Sequence, residues 1–240
     1  MLSRRHKNLK KKNENREEES CLKTENEILE IAFLLFLEKG FSEVSTNELI
    51  RAAGLTKGGF YYSFKSRDDL DQQVVEKYIR PFFSRPTEEM QQVWEKSRAE
   101  TPTAELLWKG FFLPQRFANY QKKIGKKIAF RNFYFLLYEG MKKFPEVEEY
   151  FKEFNKKKSR LLYGILERGQ KRGEILKSID LENYVTMILA MQDGILALRV
   201  LDETIDEEEK YTKIQYQMWK EISTAKMQNY EDGGVTSAVS

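Results

Sequence analysis

The sequence predicts an all-α protein, and three observations support this prediction. Only five prolines and thirteen glycines occur in 240 residues. Apolar side chains recur at intervals of three and four residues, which is the period of a helix with one buried face. No stretch alternates apolar and polar residues between turn signals, as a half-buried strand does. We therefore expect a series of individually bounded helices and no sheet.

Capping signals place the first helices. In a capping box the side-chain oxygen of a Ser or Thr accepts a hydrogen bond from the backbone N–H three residues later. An acidic side chain at that later position accepts in turn from the backbone N–H of the Ser or Thr. Three such boxes occur in succession, at Thr24 with Glu27, Ser45 with Glu48, and Ser66 with Asp69. The expected helices run from Thr24 to Lys39, from Thr46 to Ala53, from Thr56 to Phe64, and from Ser66 toward Pro81 and Phe82. Residues 24–80 are therefore predicted to form one compact helical domain.

The rest of the chain continues the helical pattern. We expect helices near 87–98, 103–118, 120–142, 146–171, 180–202 and 207–228, punctuated by Pro, Gly and Asp. Residues 81–228 would form a second, larger helical domain. Residues 229–240 have neither apolar period nor caps and are predicted to be a disordered tail.

Residues 1–23 are predicted to be a disordered basic arm. Basic side chains outnumber acidic ones there, and almost no apolar residue is available for burial. The arm could attract phosphates or reach a minor groove. The alternative is a solubilising tail.

Composition excludes several classes of function. The single histidine, His6, lies in the charged arm, so a folded core holds neither a Ser-His-Asp triad nor an HExxH zinc site. Glu207, Glu208 and Glu209 are adjacent rather than facing, and no glycine-rich phosphate loop occurs. We expect a protein that is not an enzyme and that has no metal or cofactor.

Cysteine use and hydropathy bear on location. The single cysteine, Cys21, cannot form an intramolecular disulfide, and a free thiol fits a reducing compartment. No run of about 18 uncharged apolar residues predicts a transmembrane helix. The N-terminus lacks the apolar stretch of a signal peptide. We expect a cytoplasmic protein.

Two short helices around Gly54 have the length and punctuation of a helix-turn-helix. Gly54 can adopt a positive φ, and Leu55 can fill the angle between the helices. In the second helix Phe60 and Phe64 are spaced for burial. Gly58 and Gly59 cost roughly 1 kcal/mol each against alanine in a helix interior, which is tolerable where the backbone must approach something closely.

The motifs of residues 28–70 resemble the DNA-binding domain of the TetR family of transcriptional regulators. The stretches that carry the resemblance are Leu-Glu-Lys-Gly-Phe at 37–41, Ser-Thr-Asn-Glu-Leu-Ile at 45–50, Ala-Ala-Gly-Leu-Thr-Lys-Gly at 52–58, Phe-Tyr-Tyr-Ser-Phe at 60–64 and Lys-Ser-Arg-Asp-Asp-Leu at 65–70. They cover about a fifth of the chain. The remainder is similar to the family only in length and helical texture.

The resemblance implies that the third helix enters a major groove. By position, Thr46 and Asn47 match residues that touch DNA, Lys57 and Gly59 match base-facing positions, and Tyr61 and Arg67 match phosphate contacts. Asn47 stands where the family often has arginine, and Ser63 where it commonly has histidine. The predicted DNA-binding residues are Thr46, Asn47, Thr56, Lys57, Gly59, Tyr61, Tyr62 and Arg67.

The net charge of residues 24–70 does not by itself favour DNA binding. Acids outnumber bases between Thr24 and Leu70, so a uniform basic footprint is missing. Four of those acids lie on the first helix, however, whereas residues 56–67 carry only positive charge. The rival hypothesis is a helical peripheral membrane or scaffolding protein, which the basic arm and the aromatic helices would also fit.

The resemblance further implies a homodimer, and hence a pseudo-palindromic operator. Apolar stripes in 146–171 and 180–202, with Gly164 and Gly194 allowing close approach, could form a four-helix interface. The predicted interface residues are Leu161, Ile165, Ile188 and Ile195.

Large aromatic residues in the middle helices could surround a pocket for an apolar small molecule. The family typically senses such a ligand, and the resemblance implies a repressor that the ligand releases from DNA. The predicted lining residues are Trp108, Phe112, Phe133, Tyr134, Leu137, Tyr184 and Met187. For each of them the alternative is ordinary core packing.

Overall fold

The computed structural model describes residues 25–110 and 116–224. Within these ranges the regular structure is helical, apart from one isolated antiparallel bridge between Ile175 and Ser223. The helices are α1 (25–39), α2 (Thr46–Ala52), α3 (Lys57–Ser63), α4 (Arg67–Val74), α5 (Arg80–Lys96), α6 (Thr103–Gly110), α7 (Arg116–Ile124), α8 (Phe130–Lys143), α9 (Pro145–Lys171), α10 (Leu181–Leu201) and α11 (Glu207–Ile222). The all-α prediction is confirmed. The predicted arm and tail lie outside the described residues.

The chain forms two compact units. The first contains the chain up to Phe82 together with Ile128–Glu149, and the second contains Phe83–Lys127 and the chain from Tyr150 onward. Helix α8, which the sequence analysis assigned to the larger domain, therefore packs with the helix-turn-helix segment.

The first unit is built around aromatic side chains. Phe33, Phe36, Phe60 and Phe64 are buried, with at most 1% of each residue exposed. The Phe33 ring stacks on the Tyr78 ring with centroids 4.2 Å apart, and burial raises the pKa of Tyr78 to about 12.

Helix α8 packs against this aromatic core. The ring of Phe133 meets the ring of Phe82 edge-on at 4.9 Å. Gly140 of α8 leaves space for close packing, because a Cβ there would lie 3.6–3.8 Å from the side chains of Val147, Ile79 and Phe41.

The prolines near residue 80 do not end the helix there. The sequence predicts that one helix stops near Pro81 and that another begins after Pro86. Instead a π-helical turn, Val75–Ile79, joins α4 to α5, and Pro86 lies inside α5. The Thr87 hydroxyl donates a 2.6 Å hydrogen bond to the Ser84 carbonyl oxygen. Burial of Phe82, Phe83 and Met90 holds this segment helical despite the prolines.

The predicted helix 120–142 is two helices. Gly125 has φ +67°, and the N–H of Lys126 donates to the Gln121 carbonyl oxygen at 3.1 Å, which is the geometry of a glycine C-terminal cap. Helix α7 therefore ends at Ile124, and α8 begins at Phe130. Of the predicted helix 103–118 the structure describes α6, Thr103–Gly110, and the start of α7, and residues 111–115 lie outside the described ranges.

In the second unit α10 packs on α11. The Tyr211 hydroxyl donates to the Gln192 carbonyl oxygen and the Tyr184 hydroxyl to the Met218 carbonyl oxygen, each at 2.6 Å. Burial of Tyr184 raises the pKa of its phenol.

Helix α10 is long and apolar enough, by length and composition alone, to cross a membrane, with a mean hydropathy of 1.4 over its most apolar window. The sequence predicts no such helix, because it contains no run of about 18 uncharged apolar residues. Val185, Ile188 and Ile195 on one side of α10 are buried in the second unit. That side of the helix is apolar because it is part of a protein core.

Candidate nucleic-acid interface

Helix α2 is fixed at both ends by local hydrogen bonds. The Ser45 Oγ accepts from the Glu48 N–H at 3.2 Å, as the capping box predicts. At the other end Gly54 has φ +67°, and the Leu55 N–H donates to the Ile50 carbonyl oxygen at 2.9 Å. This glycine-capped turn leads directly into α3, as the helix-turn-helix prediction requires.

Helix α3 buries one face and exposes the other. Thr56 caps its start, because its Oγ1 accepts from the Gly59 N–H at 3.1 Å. Phe60 and Phe64 are buried with ring centroids 5.6 Å apart. Lys57 is exposed, and Tyr61 and Tyr62 are 49% and 82% exposed. Large side chains exposed on a short helix are available to a partner.

The two glycines at the start of α3 are not required by the protein itself. Neither has a positive φ, and a Cβ added at Gly58 would meet only the Thr56 Oγ1, at 3.9 Å. A Cβ at Gly59 would lie 3.4 Å from the same atom. A bare backbone at this exposed turn suits close approach of another molecule.

The guanidinium of Arg67, which is predicted to contact phosphate, forms hydrogen bonds within the first unit. Its Nε donates to the Asp71 Oδ1 at 2.6 Å, its Nη2 donates to the Phe41 carbonyl oxygen at 3.0 Å, and its Nη1 donates to the Val44 carbonyl oxygen. The guanidinium also lies over the Phe36 ring, 4.9 Å from its centroid. Arg67 thus ties α4 to the loop that precedes α2, and these bonds use three of its five N–H donors.

The same loop is held from its other side by α8. The Glu139 carboxylate accepts from the backbone N–H groups of Phe41 and Ser42 at 2.8 and 2.7 Å. Gly40 makes this contact sterically feasible, since a Cβ there would lie 2.5 Å from Glu139 Oε2 and the residue has φ +89°. The position of α2 therefore depends on α8.

Asp71 joins α4 to α8. Its side chain is fully buried and forms ion pairs with the Arg67 Nε at 2.6 Å and the Lys143 Nζ at 2.9 Å. A buried carboxylate is strongly destabilising when its partners are removed. The pairing therefore makes the relative placement of α4 and α8 specific.

Two acids of the first unit, Glu48 and Asp69, are bonded to neighbouring groups. The carboxylate of Glu48 forms a 2.6 Å ion pair with Lys39, and this hydrogen bond lowers the pKa of Glu48 and raises the pKa of Lys39. Asp69 accepts from the side chain of Gln73 and the backbone N–H of Lys65, which lowers its pKa. The third capping box is therefore displaced by one residue, since the acid reaches the amide of Lys65 rather than that of the cap.

Two exposed cations at this surface were missed by the sequence analysis. Arg51 lies in the last turn of α2, and Lys65 follows α3. Both are exposed, as are Asn47 and Lys57, whereas Thr46 is half-buried. The sequence could have identified Arg51 and Lys65, because both lie next to the C-terminal ends of the predicted helices α2 and α3.

The residues predicted to bind a ligand are divided between the units. Phe133, Tyr134 and Leu137 lie in the first unit, where Phe133 and Leu137 are buried. Trp108, Tyr184 and Met187 lie in the second, where Tyr184 is buried and Met187 is 55% exposed. Phe112 lies outside the described residues.

Three of the four residues predicted to form the dimer interface are buried within the chain itself, namely Ile165, Ile188 and Ile195. The fourth, Leu161, is half-buried. The outer face of α10 is instead formed by apolar and small residues that the chain leaves exposed: Met187, Ala190, Gly194, Ala197, Leu198 and Leu201.

Over residues 25–110 and 116–224, no group of three or more His, Cys, Asp or Glu side chains could hold a metal ion.

The N-terminal segment matches a known protein family. Residues 28–74 match the family described as "Bacterial regulatory proteins, tetR family". Over 53 residues the chain is 40% identical to the HTH-type transcriptional regulator AcrR of Shigella flexneri, and over 58 residues it is 38% identical to the transposon Tn10 TetC protein of Escherichia coli. These matches cover 22% and 24% of this chain, and only 25% and 29% of the two relatives.

The fold has solved counterparts along most of the chain. A TetR-family transcriptional regulator from Cytophaga hutchinsonii superposes with a TM-score of 0.56 at 16% sequence identity, covering 86% of this chain and 98% of that one. At this identity the likeness shows the fold, an N-terminal helix-turn-helix followed by a larger helical part.

Proposed function

On the premise that its N-terminal domain belongs to the tetR family of bacterial regulatory proteins, we propose that this protein is a DNA-binding transcriptional regulator. The observation that carries the proposal is the outer surface of α3. A capped helix exposes Lys57, Tyr61 and Tyr62 beside a bare glycine turn, and no acidic side chain occurs in it. Such a helix is suited to lie in a major groove, with Lys57 donating to base acceptors.

Phosphate binding is assigned to the cations around α3. Arg51 and Lys65 are exposed next to the helix ends, and Tyr61 is 49% exposed. Backbone contacts of this kind fix the register of a protein on DNA without reading sequence. Arg67 takes a positioning role in this proposal, because its guanidinium is bonded within the unit.

The proposed regulator is a homodimer that uses the outer face of α10. Leu198 and Leu201 are 54% and 77% exposed there, and Ala190, Gly194 and Ala197 allow a second helix to approach closely. Contiguous exposed apolar surface on a helix is typical of an association site. Two-fold symmetry would then require a pseudo-palindromic operator.

We further propose a repressor that a small ligand releases from DNA and that acts in the cytoplasm. The hydrogen bonds between the Glu139 carboxylate and the loop before α2 support this proposal. They make the position of α2 depend on α8, a helix outside the helix-turn-helix. A ligand that favours another position of α8 would change the spacing of the reading helices. AcrR of Shigella flexneri and the Cytophaga hutchinsonii protein are transcriptional regulators, which supports a non-catalytic role.

The competing function is a helical scaffold or peripheral membrane protein. Salt-sensitive binding would not separate the two, because both would use basic surface. Preference for one duplex sequence over others does separate them. A regulator enriches particular sites from a random DNA pool, whereas a scaffold does not.

A further inference from the structure

A cavity of about 570 Å³ lies in the second unit, between α5 and α9. Its volume is typical of sites that hold small organic ligands. None of the residues predicted to bind a ligand lines it. Leu161, which the sequence analysis expected at the dimer interface, does line it.

One wall of the cavity is apolar and flat. A Cβ on Gly164 of α9 would lie 3.8 Å from Cζ2 and Cη2 of Trp94, which is an ordinary van der Waals distance, so the indole lies opposite Gly164 with room for a methyl group between them. The Arg168 guanidinium lies 4.7 Å from the centroid of the same ring. Together with Leu161, the fixed indole forms a surface suited to an aromatic or aliphatic body.

The rim of the cavity is positive. Lys157 and Arg160 are three residues apart on α9 and therefore share a face of the helix. The Nζ of Lys157 lies 3.8 Å from the Oε2 of Glu153. Arg160 forms no hydrogen bond or ion pair within the described ranges. The one acid in the lining is Glu88 on α5, so the two cations leave a net positive charge.

Arg168 adds positive potential next to Trp94. Its Nε and Nη2 are buried and have no hydrogen-bond partner among the described residues, and its Nη1 donates to the Ser97 Oγ at 3.2 Å. Burial lowers the pKa of this guanidinium, because its charge is poorly compensated there. A negative charge in the neighbouring cavity would be favoured by the same field.

We propose that the cavity between α5 and α9 binds a small amphipathic anion. Its acid group pairs with Arg160 and Lys157, and its apolar body packs on Trp94 and Leu161. The Gln92 side chain, on the opposite wall, is available to a polar substituent. Binding of the anion does not depend on the proposed function. The further step, that this anion is the effector that releases the protein from DNA, rests on the proposed function.

The direct test is calorimetric titration of the full-length, DNA-free protein with matched acids and neutral amides. The probes are 2-naphthoate with 2-naphthamide, and decanoate with decanamide. A hydrogen-bonded charge pair corresponds to about tenfold or more in affinity, so at least one acid is expected to bind about tenfold tighter than its amide.

Charge variants locate the binding. Arg160→Gln should weaken binding of the acid by about five- to tenfold without affecting the amide, and Glu88→Gln should tighten it. Lys156→Gln is the matched control, since Lys156 is an exposed cation on α9 that does not line the cavity. Leu161→Trp should abolish binding of both probes by filling the cavity.

Two results would overturn the proposal. One is that neither acid binds more tightly than its amide, and the other is that Arg160→Gln and Lys156→Gln have the same effect. Both results would leave selection of DNA sites unchanged, so they are distinguishable from failure of the proposed regulatory function. Unfolding curves of each variant check that the fold is retained.

Discussion

The carboxylate of Glu139 accepts a 2.8 Å hydrogen bond from the backbone N–H of Phe41, across 98 residues of sequence. Together with its bond to Ser42, this contact attaches the loop before α2 to α8. Arg67 of α4 also holds the loop, because its guanidinium donates to the carbonyl oxygens of Phe41 and Val44. The helix-turn-helix is thus held in place by residues that need not contact DNA.

Glu139→Gln should reduce both stability and DNA affinity. The amide keeps one acceptor but loses the charge, at a cost of about 1–2 kcal/mol in the free energy of unfolding. Urea unfolding and fluorescence anisotropy with a duplex selected by the wild-type protein are the measurements. Glu149→Gln, which removes an exposed carboxylate from the same unit, is the control and should change neither. Equal DNA affinity of both variants would contradict the role given to Glu139.

Arg67→Ala should destabilise the first unit by about 3 kcal/mol, because it breaks a buried ion pair and releases two loop carbonyl groups. Arg51→Ala is the contrasting variant. It removes an exposed cation, so it should change stability by no more than about 0.5 kcal/mol while weakening binding to all duplexes. Wild-type stability of Arg67→Ala with lost DNA binding would instead make Arg67 a phosphate contact.

Gly58→Ala should separate stability from function. A Cβ at this position has open space, so alanine should stabilise the helix by up to about 1 kcal/mol. DNA affinity should fall by about tenfold or more, which corresponds to about 1.4 kcal/mol, because the methyl group stands where the duplex approaches. Thermal unfolding and anisotropy measure the two effects on one sample. A variant that is more stable and binds DNA normally would remove the functional reason for this glycine.

Leu198→Glu should convert the proposed dimer into a monomer at micromolar concentration. It places a charge in the middle of the exposed apolar face of α10, where burial against a second copy would desolvate it. Sedimentation velocity gives the mass directly. Leu176→Glu changes an apolar side chain that is 39% exposed elsewhere and should remain dimeric. A dimeric Leu198→Glu protein would exclude α10 as the interface.

Local signals in the sequence predicted the helix-turn-helix well. The caps at Ser45 and Ser66, the helix start after Thr56 and the turn at Gly54 depend on neighbours within a few residues, and the structure contains each of them. Gly125 is an equally local signal, but the helix predicted over 120–142 runs through it. A positive-φ glycine ends a helix whatever period surrounds it.

Long-range partners could not be predicted in the same way. Arg67 carries a motif position that implies a phosphate contact, and only the fold reveals Asp71 and the Phe41 carbonyl group as its partners. Periodicity also could not tell which side of α10 faces the chain's own core. Ile188 and Ile195 were therefore assigned to an interface although they are buried within the chain.

The most direct test of the central claim is selection of binding sites by the purified protein from a random duplex pool at about 150 mM salt, where nonspecific attraction is weak. Enrichment of an inverted repeat is predicted, and Lys57→Ala should change the preferred bases at symmetric positions within it, because Lys57 is assigned to base readout. No enrichment by a folded, dimeric protein would contradict the assignment of α3 as a helix that reads DNA.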